Sequence, residues 1–117
     1  MRTVSFRAFV LIVAAVALLA CGKSLSEPER SYAEACVKYM KGEEAYRRLC
    51  ECSAPIVVSK LTPGELNAYV NSVDLLGKPM TDESVAPRGF TLADFSNLGV
   101  KRQASFEEMK KTCGGAI

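Results

Sequence analysis

SEPERSYAEACVKYMKGEEAYRRLCECS, residues 26–53, reads as two helices folded against each other, and the rest of the chain is placed by reference to it. Ser26 and Glu29 have the spacing of a capping box, and Pro28 is tolerated in a first helical turn. Tyr32, Cys36, Tyr39 and Met40 then recur at helical spacing on one face, flanked by Ala33 and Val37. Gly42 supplies a left-handed stop, so a first helix is expected over 26–41. Glu43 and Glu44 favour the positive start of a second helix, which carries Tyr46, Leu49, Cys50 and Ser53 along one stripe. A connection this short forces the two helices antiparallel.

Folding the chain about Gly42 sets Cys36 opposite the region of Leu49 and Cys50. Cys52 lies two residues further on, ~200° around a helix, and faces nearly the other way. It needs a different partner, and Cys113 is available on a terminal segment. There Ser105 and Glu108 form another capping-box pattern, Phe106, Met109 and Cys113 share a face, and Gly114 ends the run. Helix geometry thus favours Cys36 with Cys50 and Cys52 with Cys113. The swapped pairing is the main competitor.

Pro55 lacks the donor for the carbonyl of Glu51, so a kink or an end near Ala54 is expected. Ile56-Val57-Val58 is then either a short strand or the buried continuation of a kinked helix, and no second strand-like run exists to pair with it. Thr62-Pro63-Gly64-Glu65 joins an N-cap, a first-turn proline and a capping-box acid. Leu66, Tyr69, Val70, Val73 and Leu76 follow as a core stripe that Gly77 stops. From Lys78 to Ala104 the pattern weakens into turn signals at Lys78-Pro79 and Pro87-Arg88-Gly89. Thr91–Leu98 fits a short helix capped by Thr91 and Asp94 and stopped by Gly99. This stretch reads either as a loop closing over the hairpin or as a recognition surface.

Upstream of the hairpin, Arg2 and Arg7 precede an apolar run from Ala8 to Ala20, which has the anatomy of a signal peptide. Thirteen helical residues rise only ~20 Å, short of the ~30 Å hydrocarbon slab. Leu18-Leu19-Ala20-Cys21 resembles the cleavage and acylation signal of bacterial lipoproteins, although Leu19 replaces the smaller residue usual there. That resemblance implies removal of residues 1–20, three acyl chains including palmitate on Cys21, a location in the cell envelope facing the periplasm, and, because Gly22 follows the cysteine, the outer membrane in a Gram-negative host. Ordinary secretion with cleavage after Ala20 or Gly22 is the competing reading. Residues 21–26 form the anchor and a tether of under ~20 Å, so the domain at 27–117 is expected to lie close to the bilayer.

Composition excludes several function classes. Without Arg2 and Arg7 the 15 basic residues fall to 13, against 13 acidic ones that all follow residue 20, so the mature charge is zero. No basic field remains for nucleic acid. The chain has no histidine, which removes the commonest general base and metal ligand. Glu43-Glu44, Asp82-Glu83 and Glu107-Glu108 are sequence neighbours that diverge by ~100° on a helix and make no shared-proton dyad. No phosphate loop appears. Cys50-Glu51-Cys52 is the one motif with redox chemistry within reach, yet the strand-helix frame and Cys-x-x-Cys of thiol oxidoreductases are absent. A zinc site of Cys36, Cys50, Cys52 and Cys113 fits the spacing but not an oxidising compartment.

From Ala33 to Leu76, the lone Cys, the Cys-x-Cys and the Thr-Pro-x-Glu helix together resemble small secreted helical proteins of bacteria. The resemblance implies an all-helical fold and an envelope location, and no activity. The sequence therefore predicts an all-α, disulfide-stapled bundle: the antiparallel hairpin plus two or three further helices. Its expected role is non-enzymatic, without cofactor or metal: a lipid-anchored protein that binds an envelope protein near the bilayer surface, as an immunity-type or exclusion-type inhibitor would. Arg88, Lys101 and Arg102 are the contact candidates, read otherwise as solubility charges. An envelope thiol-disulfide factor using Cys50 and Cys52 is the alternative, and a small apolar ligand held between the helices is a third reading.

Overall fold

The computed structural model describes residues 24–117; the leader and Cys21 lie outside the described residues. Helix α1 (Glu27–Tyr39) starts on a closed capping box, with Glu29 N–H donating to Ser26 Oγ at 3.3 Å and Ser26 N–H donating to Glu29 Oε1 at 2.9 Å. It ends where Lys41 and Gly42 both turn left-handed, at φ 58° and 74°. A 3₁₀ turn, Glu44–Tyr46, leads into α2 (Arg47–Val58), which packs antiparallel along α1. The helix does not end near Ala54 but continues past Pro55 to Val58, so Ile56-Val57-Val58 is helix and not strand. Pro55 stands on the exposed side, where its missing donor leaves the Glu51 carbonyl to solvent.

Helix α3 (Pro63–Asn71) begins on the Thr62–Glu65 box and crosses α1. It is shorter than the apolar stripe suggests. Val73–Leu75 continue as a 3₁₀ turn, and the change from 3.6 to 3 residues per turn rotates the register. Leu75 is consequently the buried residue, and Leu76, expected in the core, is 55% exposed. The weak stretch after Lys78 is helical too. A single turn, α4 (Asp82–Val85), passes through the 3₁₀ turn Ala86–Arg88 to a left-handed Gly89, and α5 (Leu92–Ala104) follows from a Thr91–Asp94 box. Gly99 does not stop α5, because it is not left-handed and the helix continues for five residues beyond it.

Helix α6 (Phe106–Cys113) closes the fold and ends at left-handed Gly114. Its expected Ser105–Glu108 box does not form. Ser105 is buried at a tight joint between α5 and α6; its hydroxyl donates to the Lys101 carbonyl and accepts from Lys60, and Lys60 also takes the Glu108 carboxylate. Six α-helices and no strand make up the described residues.

One core runs through the hairpin: Tyr32, Cys36, Cys50, Ala54 and Val57 are at most 1% exposed, with Ala68, Val85 and Met109 brought in from α3, α4 and α6. Cys36 is bonded to Cys50, with Cα atoms 5.7 Å apart, and Cys52 to Cys113, 5.8 Å apart. The swapped pairing does not occur. Helix α2 is thereby held to α1 on one side and to α6 on another.

Candidate functional site: an apolar notch over a tyrosine stack

Tyr32 and Tyr39 lie two turns apart on α1, a rise of ~10 Å that leaves room for one ring. Tyr69 of α3 stacks on both. Its centroid is 4.3 Å from that of Tyr32 and 4.8 Å from that of Tyr39, with ring planes 20° and 24° apart. Offset stacks of this kind are worth ~0.5–1.5 kcal/mol each beyond area burial. The polar ends are tied down: Tyr39 O–H shares a 2.7 Å hydrogen bond with the Ser72 hydroxyl and reaches the Tyr69 carbonyl at 3.2 Å. Burial pushes the Tyr69 and Tyr39 phenols above their ordinary range, so both stay neutral donors.

Helix α5 covers the stack from Phe95, Leu98, Gly99 and Arg102, four positions that share one face of a helix. Arg102 sets its guanidinium carbon 4.9 Å from the Tyr69 centroid and donates from Nε to the Tyr32 hydroxyl at 3.2 Å. Tyr39, Tyr69, Leu76 and these α5 residues enclose an open notch of about 130 Å³. Leu76 forms its exposed rim. Gly99 leaves the floor bare: a Cβ built there meets no atom within 4 Å. A glycine inside a helix costs ~1 kcal/mol relative to alanine, and no packing neighbour among the described residues calls for it here.

Of the three cations expected as free contacts, each is engaged internally. Arg88 bonds both oxygens of Asp74, at 2.6 and 2.7 Å, and the Asn71 carbonyl, fastening the Ala86–Arg88 turn to the end of α3. The same guanidinium holds the Asp74 carboxyl below its usual range. Lys101 meets Glu65 at 2.6 Å, and the Glu65 side chain is only 4% exposed. Arg102 belongs to the stack, but it faces no carboxylate among the described residues, and its outer nitrogens make no hydrogen bond there. The stack and the notch were not legible in the sequence, because Tyr69 and Arg102 reach Tyr32 across 37 and 70 positions.

The cysteines separate into two kinds. Cys36 and Cys50 are 1% and 0% exposed, whereas Cys52 and Cys113 are half-buried beside open clefts. All four sulfurs are in bridges, which leaves none of them as a zinc thiolate. Among the described residues no group of three or more metal-ligating side chains is arranged to hold an ion, and no helix is long and apolar enough to cross a membrane. No protein-family model, curated protein or solved structure matches the chain.

Proposed function

We propose that this chain is a non-enzymatic, lipid-anchored envelope protein whose notch over the tyrosine stack takes a side chain of a protein partner near the bilayer surface. One observation carries the reading: an exposed Leu76 stands beside a bare Gly99 and a half-buried Arg102, on a helix face that nothing among the described residues completes. Tyrosine and arginine are the residue types on which interface energy concentrates. The notch, at about 130 Å³, suits a single side chain and is well below the ~300–1,000 Å³ of small-molecule sites, which favours a protein over the small apolar ligand. The tether after Cys21 keeps such a partner close to the membrane.

The alternative of an exchange reaction between Cys50 and Cys52 has less support, because each sulfur is bonded to a different helix and Cys50 is fully covered. The test is a photo-crosslinking side chain placed at Leu76, and separately at exposed Lys111 on α6, in the lipidated protein within intact envelopes. A discrete protein adduct at position 76, absent at 111 and weakened by Gly99→Leu, is the expected result. Equal or no adducts at the two positions would remove the notch as the contact surface.

A further inference from the structure

Two disulfides of one small domain meet solvent very differently here. Cys36–Cys50 is sealed in the core, while Cys52 and Cys113 both border a cleft of about 480 Å³. Among the described residues that cleft is lined by Arg48 and by no acidic side chain. Arg48 is exposed, makes no ion pair among the described residues, and lies four positions before Cys52, on the same face of α2. A second cleft that Cys52 borders is lined instead by Glu29 and Glu51. An attacking thiolate is an anion, so the first cleft admits it and the second repels it.

We propose that Cys52–Cys113 is a thiol-exchange site that takes a dithiol, approached through the Arg48 cleft, while Cys36–Cys50 is inert. The dithiol's thiolate attacks Sγ of Cys113, forming a mixed disulfide as the Cys52–Cys113 bond breaks and its electron pair leaves on Cys52 Sγ. Two features select that direction. Arg48 stabilises a thiolate at Cys52, whereas Cys113 is the last residue of α6, where the negative helix end disfavours one. The second thiol of the dithiol then displaces Cys113. The protein bridge gains two electrons and two protons, and the dithiol becomes a cyclic disulfide. Opening the bridge frees α6 from α2 and leaves it held by buried Met109 and the Lys60–Glu108 pair.

The experiment treats the full oxidised chain under native conditions with graded dithiothreitol, quenches by alkylation, and maps each cysteine by mass. Labelling of Cys52 and Cys113 is expected to exceed that of Cys36 and Cys50 by about tenfold or more before the fold melts. With glutathione, a monothiol that stops at the mixed disulfide, the adduct is expected on Cys113 with Cys52 alkylated. Arg48→Ala is expected to slow opening about threefold or more, and Lys111→Ala to leave it unchanged. Simultaneous opening of both bridges, opening of Cys36–Cys50 first, or a glutathione adduct on Cys52 would overturn the proposal.

Discussion

Glu65 holds two places in the fold with one carboxylate. Its Oε1 accepts the Thr62 N–H at 2.9 Å, closing the cap of α3, and the Lys101 ammonium at 2.6 Å, tying α5 to that cap. The Lys101 hydrogen bond first, and the Thr62 N–H second, draw its carboxyl below the ordinary value of 4.5. The Glu65 side chain is covered, but its partner Lys101 is 35% exposed, so solvent screens the pair and it counts for less than one sealed in a core. A folded pKa below the unfolded one gives stability that is present above pH ~4.5 and is lost as pH falls through the folded value. Glu65→Gln is therefore expected to cost about 1–3 kcal/mol at neutral pH. It should also make the fall of thermal midpoint below pH 4.5 shallower than in the parent. An acid limb of unchanged steepness would contradict that assignment. The capping box was readable from Thr62-Pro63-Gly64-Glu65; the lysine was not, because it arrives from 36 positions away. Gly64 shows the same limit: a Cβ there would lie 2.6 Å from the Asp94 carboxylate, a contact visible only once α3 and α5 are packed.

At the scale of elements, the sequence was most legible where local chemistry decides the outcome. The boxes at Ser26, Thr62 and Thr91 and the left-handed glycines 42 and 114 all sit where their residue types place them. It was least legible where packing overrides local preference. Gly99 is held helical by the flanking turns of α5, and the 3₁₀ turn after α3 exchanges Leu75 for Leu76 in the core. Pro55 belongs to the same class. The hairpin contacts of α2 and its bridge to Cys36 keep it helical through a residue that costs ~3 kcal/mol in a helix interior. Because its side chain is exposed, Pro55→Ala should restore a donor to the Glu51 carbonyl without opening a cavity. A gain of about 1 kcal/mol or more is expected, after the looser unfolded chain is discounted, and urea unfolding measures it directly. A loss of stability would mean that proline fixes a bend the hairpin needs.

For the whole molecule, the two bridges differ in what they hold. Cys36–Cys50 spans 14 positions within the hairpin, and Cys52–Cys113 spans 61 and fastens the last helix to the second. Loop entropy assigns them ~3 and ~4 kcal/mol, a large share of the ~5–15 kcal/mol of a small domain. The buried bridge also fills core volume, so Cys36→Ala with Cys50→Ala should cost more than its loop length implies and unfold the hairpin as a unit. Cys52→Ala with Cys113→Ala should lower the urea midpoint while hydrogen exchange accelerates mainly over 106–117. Equal, global loss of protection in both pairs would contradict this division. The antiparallel hairpin was legible from residues 26–53, and the all-helical class from that stretch together with the caps at Thr62 and Thr91. The tyrosine stack and the notch were not, since they arise only where α1, α3 and α5 meet.

Whether α2 is clamped to two different helices by two separate bridges is decided by a disulfide map of the purified, unreduced protein. Cys50 and Cys52 share one tryptic peptide, so a glutamate-specific protease is needed to cut after Glu51 under non-reducing, acidic conditions. Two linked pairs are expected, one joining the peptides of Cys36 and Cys50 and the other those of Cys52 and Cys113. A Cys50–Cys52 ring, a Cys36–Cys52 link or four free thiols would contradict it.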